Sequence, residues 1–280
     1  MTTPSPSDDN FERRTVDATP ALSEEFLRGL TDELDNDDIV GITLGGSYAR
    51  GEATPYSDID LACFYKDDAA LPPKRFVYRN SLLVSISPKT VAGAHSDLAR
   101  PEKAIFLAAG PRRVLLDKDG SVKQLIRDIA AFRWEPLQQA ANDYASLELM
   151  LAAEQVHKIL SEILRRDDMA ISYATARLLS WLTNIVAVQR GVAVRSDSVY
   201  YLQVQTSVGP LSVWSRYHRI VSGIDVLPAN IAPVKVRAVA ALHLYQETAT
   251  LLRPILQPDH RAVVEQALRV FQEAGPRLRL

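Results

Sequence analysis

The chain has 280 residues, of which 47% are hydrophobic and 24% are charged, and its formal net charge is -2. This composition is typical of a globular protein with one large or two ordinary domains. The near-neutral charge argues against a nucleic-acid partner, which would favour a basic surface. A single cysteine, Cys63, excludes an internal disulfide and fits a reducing compartment.

No apolar run approaches the ~20 residues of a membrane span, and the N-terminus has no apolar signal-peptide region. We therefore expect a cytoplasmic protein with no membrane partner. Residues 1–20 are rich in Pro, Ser, Thr and Asp and nearly lack aliphatic residues, which predicts a disordered tail. From residue 21, apolar residues recur every three or four positions, and this spacing predicts a helix that ends at the acidic residues 35–38.

Two apolar runs, residues 39–44 and 59–65, flank a glycine-containing loop. This pattern predicts two short strands joined by a turn. Gly45 and Gly46 allow backbone N–H groups to approach a ligand closely, and Ser47 adds a hydroxyl. The loop therefore has the groups that a phosphate tail would need.

Asp58 and Asp60 stand at the start of the second predicted strand. Because side chains alternate along a strand, both carboxylates point to the same face. Neighbouring carboxylates resist joint ionisation unless a cation compensates their charge, and Mg²⁺ prefers such oxygen ligands together with substrate phosphates. The sequence therefore predicts a metal site at Asp58 and Asp60, next to the phosphate-binding loop.

The order of an apolar strand, Gly46-Ser47, ten intervening residues and Asp58-Ile59-Asp60 resembles the signature of the polymerase-beta-type nucleotidyltransferase superfamily. The similarity is greatest to small bacterial members, which include minimal nucleotidyltransferases and enzymes that adenylylate aminoglycosides and lincosamides. The resemblance implies catalytic, Mg²⁺-binding roles for Asp58 and Asp60, with ATP or another nucleoside triphosphate as substrate. It also implies four nucleotide-binding residues: Gly45, Gly46, Ser47 and Arg50.

Further short patterns predict the rest of a first domain. Strands are predicted at 75–79, 81–87 and 112–116, and helices at 90–110, with a break at Pro101, and at 121–132. The resemblance implies that these elements form a nucleotidyltransferase fold, a mixed β-sheet flanked by helices, over residues 21–133. Three basic residues of this region are candidate partners of a triphosphate: Lys103, Arg112 and Arg113.

Residues 134–280 are almost wholly helical in pattern and predict an all-α bundle. Helices are expected at about 135–166, 169–190, 210–222, 231–252 and 260–273, with a long irregular break at 191–209. The first of these helices is predicted to bury a stripe that includes Leu147 and Leu151. Glu148 lies beside that stripe, an expensive place for a carboxylate unless it has a partner or a cleft.

The resemblance also implies a third carboxylate on a strand after the paired aspartates. Residues 81–87 carry none, since one face presents Leu83, Ser85 and Ser87. Some antibiotic nucleotidyltransferases take a catalytic base from their helical domain, and Glu148 is the first candidate here. Asp143 and Glu154 are weaker candidates.

These patterns predict an α+β protein, with a nucleotidyltransferase fold followed by a helical bundle. Its expected activity is Mg²⁺-dependent transfer of a nucleoside monophosphate, most simply AMP from ATP, to a hydroxyl of a small-molecule acceptor, with antibiotics among the candidates. Two alternatives remain open. One is a protein-adenylylating enzyme like antitoxin nucleotidyltransferases, and the other is a catalytically silent nucleotide-binding regulator. The sequence leaves the oligomeric state open.

Overall fold

A computed structural model of the chain describes residues 22–68, 71–225, 232–275 and 278. The predicted tail at residues 1–20 lies outside these described residues. Contacts divide the chain into two compact units. The first comprises the described parts of Met1–Val91 with Gly110–Lys123, and the second comprises Ala92–Ala109 with the described parts of Gln124–Leu280.

The first unit is built on a five-stranded sheet. Its strands are β1 (Ile39–Leu44), β2 (Ile59–Tyr65), β3 (Arg75–Arg79), β4 (Leu82–Thr90) and β5 (Arg113–Asp117). The strand order is β3-β4-β2-β1-β5. The pair β2 and β4 is parallel, whereas the other three pairs are antiparallel. The mixed sheet expected from the resemblance is therefore confirmed.

One face of this sheet is covered by α1 (Glu24–Leu34). Ser23 begins the helix by accepting a hydrogen bond from the backbone N–H of Phe26 at 3.1 Å. The buried side chains of the helix and of this sheet face form one apolar core: Leu27, Leu30, Leu34, Ile39, Ile42, Leu44, Ile59, Leu61, Cys63, Val84 and Ile86. This core fixes which residues of β1 and β2 face α1, and by alternation which residues face away.

The loop between β1 and β2 is more ordered than the sequence predicted, because it contains a five-residue helix, α2 (Gly46–Arg50). Gly51 ends this helix with a left-handed φ of 69°, and its N–H bonds back to the carbonyls of Ser47 and Tyr48. Tyr48 and Ala49 pack against the apolar core under the sheet. Local capping and packing together explain why the glycine-containing segment closes into a helical turn.

The predicted helix at residues 90–110 is divided at Pro101, as expected, into α3 (Val91–Leu98) and α4 (Pro101–Leu107). Helix α5 (Ser121–Ala130) follows β5. Most of α3 and all of α4 belong to the second unit. Ile105 is 1% exposed within the core of the helical bundle, and its carbonyl accepts a 2.7 Å hydrogen bond from the N–H of Val194.

The rest of the second unit is helical, which confirms the α+β class. Its remaining α-helices are α6 (Gln138–Arg165), α7 (Asp168–Gln189), α8 (Tyr200–Val208), α9 (Val213–Ser222), α10 (Pro233–Leu252) and α11 (Pro258–Ala274). None of the helices in the described part of the chain is long and apolar enough to cross a membrane.

Two details of the predicted bundle were wrong. The stretch 191–209 was expected to be irregular, but Tyr200–Val208 forms α8, with Val204 buried. In α6 the expected core residues Leu147 and Leu151 are 41% and 44% exposed. The helix instead buries a stripe rich in alanine: Ala141, Ala145, Leu149, Ala152, Val156 and Ile159. Small side chains allow neighbouring helices to pack closely, and α6 packs on α7, α10 and α11 in the bundle.

Candidate active site

The glycine turn after β1 lies directly against Asp60 of β2. The N–H of Gly45 donates a 2.8 Å hydrogen bond to the carbonyl of Asp60. Gly46 has a left-handed φ of 64°, and a Cβ placed there would overlap Asp60 Oδ2 and lie 2.9 Å from its Cγ. Only glycine satisfies both conditions. The backbone of the turn and the carboxylate therefore form one compact site.

Asp58 is set at the entrance of β2 by a hydrogen-bonded turn. The Ser57 hydroxyl accepts from the N–H of Thr54 at 2.9 Å, and the Ser57 N–H donates to the Thr54 carbonyl at 3.0 Å. Asp58 follows this turn, one residue before the strand, and is half-buried. Only Ile59 separates Asp58 from Asp60, so the alternation of the strand directs both carboxylates to the same side.

Ser85 occupies the strand position beside Asp60. The parallel register of β2 and β4 pairs Asp60 with Ser85, and directly paired residues share a face of the sheet. Ser85 is 1% exposed. An acid at this position would stand next to Asp60, and the chain has a buried serine there. The sequence showed only that β4 lacks the third carboxylate implied by the resemblance. The structure shows that Ser85 occupies the position where that carboxylate would lie beside Asp60.

Arg50 is engaged within its own loop. Its Nε donates to Glu52 Oε2 at 2.8 Å, and the arginine side chain is only 12% exposed. The same loop holds Ser47, whose carbonyl accepts the N–H of Glu52 at 2.9 Å. The sequence analysis did not predict this ion pair. Glu52 is only two residues after Arg50, and this short spacing could have indicated it. An anionic ligand that recruits Arg50 would have to compete with this carboxylate.

Glu148 lies on α6 in the second unit, and Asp58 and Asp60 lie in the first. Its Oε2 accepts a 2.6 Å hydrogen bond from Trp181 Nε1, and the carboxylate is half-buried. Trp181 lies on α7, so the hydrogen-bond partner of Glu148 could not be predicted from the sequence of α6. The two weaker candidates have local partners: Asp143 accepts from Gln139 and Gln257, and Glu154 pairs with Lys158.

Trp181 also lines a cavity of about 600 Å³ in the second unit. Four aromatic side chains contribute to its wall: Phe106, Tyr173, Trp181 and Tyr200. Polar groups come from Arg177, Ser180 and Asn184. A cavity of this size and mixed lining is typical of small-molecule sites. Glu148 is thus hydrogen-bonded to Trp181, a side chain that lines this cavity.

Two further aspartates and the single cysteine of the first unit have structural roles. Asp117 accepts the N–H groups of Gly120, Val122 and Lys123, and Asp119 accepts that of Ser121, so these aspartates hold a turn and a helix start. Burial raises the pKa of Cys63 to about 11, which keeps its sulfur a protonated, poorly nucleophilic thiol. The described residues contain no group of three or more His, Cys, Asp or Glu placed to hold a metal.

Residues 24–118 match the family model described as a nucleotidyltransferase domain. Together with the sheet, the glycine turn and the paired aspartates, this match shows that the chain contains a polymerase-beta-like nucleotidyltransferase domain.

The matches to known proteins include one sequence match and one structural match. The Methanocaldococcus jannaschii protein named "Putative protein adenylyltransferase MJ1305" is 41% identical over 65 residues, which cover 23% of this chain and 41% of that protein. The chain thus spans less than half the length of this curated relative. The crystal structure of a nucleotidyltransferase-like protein from Exiguobacterium sibiricum aligns with a TM-score of 0.48 and 13% identity, over 82% of this chain and 78% of its own.

Proposed function

We propose that the protein transfers AMP from ATP to a hydroxyl of a small-molecule acceptor and releases pyrophosphate. The observation that carries this proposal is the approach of the Gly45–Gly46 backbone to Asp60. It joins a turn suited to phosphates and a carboxylate suited to a cation in one place. The nucleotidyltransferase domain match and the cavity in the second unit support the nucleotide and the small acceptor respectively.

The side chains present fit Mg²⁺. Asp58 and Asp60 offer hard oxygen ligands on one side of β2, and the missing Cβ of Gly46 leaves room for the Asp60 carboxylate directly against the glycine turn. These two aspartates would hold the ion, with substrate phosphates completing its ligands. When bound, Mg²⁺ supplies positive charge that stabilises the charge developing on the transferred phosphoryl group and the leaving pyrophosphate.

The chain's own residues would orient the reaction. The backbone N–H of Gly46 and the Ser47 hydroxyl would hold the triphosphate, so that the acceptor oxygen can attack the α-phosphorus in line. The new bond joins that oxygen to the α-phosphorus, and the bond to the bridging oxygen of the β-phosphate breaks. The acceptor proton must go to a base, and we propose Glu148 for this role.

The test uses α-labelled ATP, GTP, CTP and UTP with Mg²⁺ and a panel of hydroxylated small molecules, beginning with aminoglycosides and lincosamides. Label from ATP on a small molecule is the expected result. Asp58→Asn and Asp60→Asn should each lower transfer by at least about 100-fold, since each removes a charged ligand. Asp37→Asn changes an exposed carboxylate in the same unit and should leave transfer unaltered. Full activity in both site variants would exclude the proposed metal site.

Glu148 is tested with two variants that separate chemistry from packing. Glu148→Gln keeps an oxygen that can accept the Trp181 hydrogen bond but removes the basic carboxylate. If Glu148 is the base, kcat should fall by about 10²–10⁴-fold with little change in the melting temperature. Trp181→Phe removes the donor and should alter stability and acceptor KM more than kcat. Equal, small kcat effects in both variants would reject Glu148 as the base.

A protein acceptor is the second candidate, favoured by the name of the M. jannaschii relative, a protein adenylyltransferase. Incubation with labelled ATP and a cell lysate would then place label on a protein rather than on a small molecule. Ser85 beside Asp60 favours a third outcome, nucleotide binding without transfer. ATP binding by calorimetry, with no label on any acceptor, would establish that outcome.

A further inference from the structure

Arg112 lies beside the glycine turn, on the opposite side from Asp60. In the antiparallel pairing of β1 and β5, Leu44 is opposite Arg113, so Arg112 comes next to Gly45. On the other side of β1, Leu44 is opposite Leu61, and Gly45 bonds to the carbonyl of Asp60. Gly45 is therefore flanked by Asp60 on one side and Arg112 on the other.

Strand alternation places Arg112 and Asp60 on the same face of the sheet. Arg113 shares the face of Leu44, which is covered by α1, and its Nη1 donates to Glu24 of that helix at 2.8 Å. The preceding residue, Arg112, thus turns to the other face, where Asp60 also lies. Two strand spacings separate their backbones by about 10 Å. The half-buried glycine turn lies between them.

The guanidinium of Arg112 differs from the neighbouring arginine side chains in its hydrogen bonding. Its Nη1 atom is buried and has no hydrogen-bond partner among the described residues. Burial lowers the pKa of Arg112, although an arginine keeps its charge at physiological pH. Nearby Arg50 and Arg113 both have carboxylate partners, Glu52 and Glu24. A buried cation without a counter-charge is costly, so a ligand that supplies negative charge would relieve this cost.

We propose that Arg112 binds the terminal phosphates of the nucleoside triphosphate, the part that leaves as pyrophosphate. This inference rests on the proposed function, which places Mg²⁺ at Asp58 and Asp60 and the triphosphate on the glycine turn. The phosphate chain then runs over the glycine turn towards Arg112. A guanidinium matches phosphate oxygens with two parallel hydrogen bonds, which a lysine cannot reproduce.

The experiment compares Arg112→Gln with Arg113→Gln, a matched control whose arginine is already paired with Glu24. Calorimetry measures binding of pyrophosphate, ATP and AMP to each full-length protein with Mg²⁺. Arg112→Gln should weaken pyrophosphate and ATP by at least about 10-fold and AMP by less than about 2-fold. Arg113→Gln should leave all three affinities within about 2-fold. Without ligand, Arg112→Gln should melt at or above the wild-type temperature, because it removes an unpaired buried charge.

Other outcomes separate this inference from the proposed function. Unchanged pyrophosphate binding in Arg112→Gln overturns the inference, and so does an equal loss for AMP. Wild-type protein that binds pyrophosphate through Arg112 but transfers no label rejects the proposed function alone. If Arg112→Gln fails to fold, Arg112→Lys decides: weaker pyrophosphate binding by at least about 3-fold supports the inference, and wild-type affinity overturns it.

Discussion

Gly46 shows how a single residue can serve both backbone conformation and site chemistry. Its φ of 64° is costly for other residues, and a Cβ there would collide with the Asp60 carboxylate. Gly46→Ala should therefore lower the free energy of unfolding by about 1–2 kcal/mol. It should also reduce nucleotidyl transfer by at least about 100-fold, because the carboxylate must move. Chemical denaturation and the label-transfer assay measure the two effects.

Gly51 provides the control for this prediction. Its φ of 69° imposes the same backbone cost, but a Cβ at Gly51 meets no atom within 4 Å. Gly51→Ala should lose similar stability and keep most of its transfer activity. If both alanine variants lose activity equally, backbone strain rather than the approach to Asp60 explains the effect.

At the residue scale, the local sequence determines only part of the candidate site. The alternation of Asp58 and Asp60 could be read directly, because it depends on two positions of one strand. The partners that modify the site come from elsewhere in the fold. Ser85 stands beside Asp60 through parallel pairing, and Trp181 reaches Glu148 from another helix. No pattern within α6 or β2 contains this information.

At the scale of helices, a buried histidine joins three elements of the bundle. Thr183 on α7 donates its hydroxyl proton to the carbonyl of Leu179, so its oxygen accepts from His218 Nε2 at 3.0 Å. Gln205 on α8 then donates to His218 Nδ1 at 2.9 Å. In the neutral imidazole, Nε2 thus donates one hydrogen bond and Nδ1 accepts one, so both ring nitrogens have a partner. Burial, with a smaller contribution from the charge of Arg219, lowers the pKa of His218 to about 4.

This arrangement predicts loss of stability in acid. At pH above about 6.5 the histidine is neutral in both the folded and unfolded states, and its contribution is fully present. As the pH falls towards 4, the unfolded state binds a proton that the folded state resists, so the free energy of unfolding falls by up to about 3 kcal/mol. Urea unfolding at several pH values measures this slope.

His218→Gln is the comparison, because it has no titrating group at this position. Carboxylates contribute to acid unfolding in both proteins, so the informative quantity is the difference between wild type and variant. That difference should shrink as the pH falls from 6.5 to 4. Parallel curves over this interval would show that His218 does not titrate as the hydrogen bonds imply.

The helices themselves were largely predictable, since their periodic patterns are long. The two incorrect predictions, for α8 and for the buried face of α6, both depend on tertiary packing. α8 is only nine residues long, and its position depends on contacts such as those of Gln205 with His218. In α6 hydrophobicity alone favoured Leu147 and Leu151, whereas the side chains buried in the bundle core are mostly the smaller alanines. Side-chain size at a helix contact can outweigh apolar character.

For the whole molecule, the two units are not successive pieces of the chain. Residues 92–109 pack in the helical unit, and the chain then returns to the first unit to form β5. We expect a fragment that ends at residue 133 to lack cooperative unfolding, because Ile105 would lose its partners on α6 and α7. Circular dichroism during heating and binding of a hydrophobic dye measure this.

Ile105→Ala distinguishes the explanations. In the full chain this substitution should lower the free energy of unfolding by about 2–5 kcal/mol, since it leaves a cavity in the bundle. In the fragment it should have no measurable cost and should reduce dye binding. A fragment that unfolds cooperatively at the wild-type temperature would contradict the assignment of α4 to the bundle.

The return of the chain to β5 also has a consequence during synthesis. During translation, α4 emerges from the ribosome well before α6 and α7 have been synthesised. Ile105 therefore lacks its native neighbours until those helices emerge. β5, which carries Arg112 at its entrance, must join the sheet next to a segment that is still unassembled. Slow elongation through the bundle would therefore lengthen exposure of α4 to chaperones and proteases.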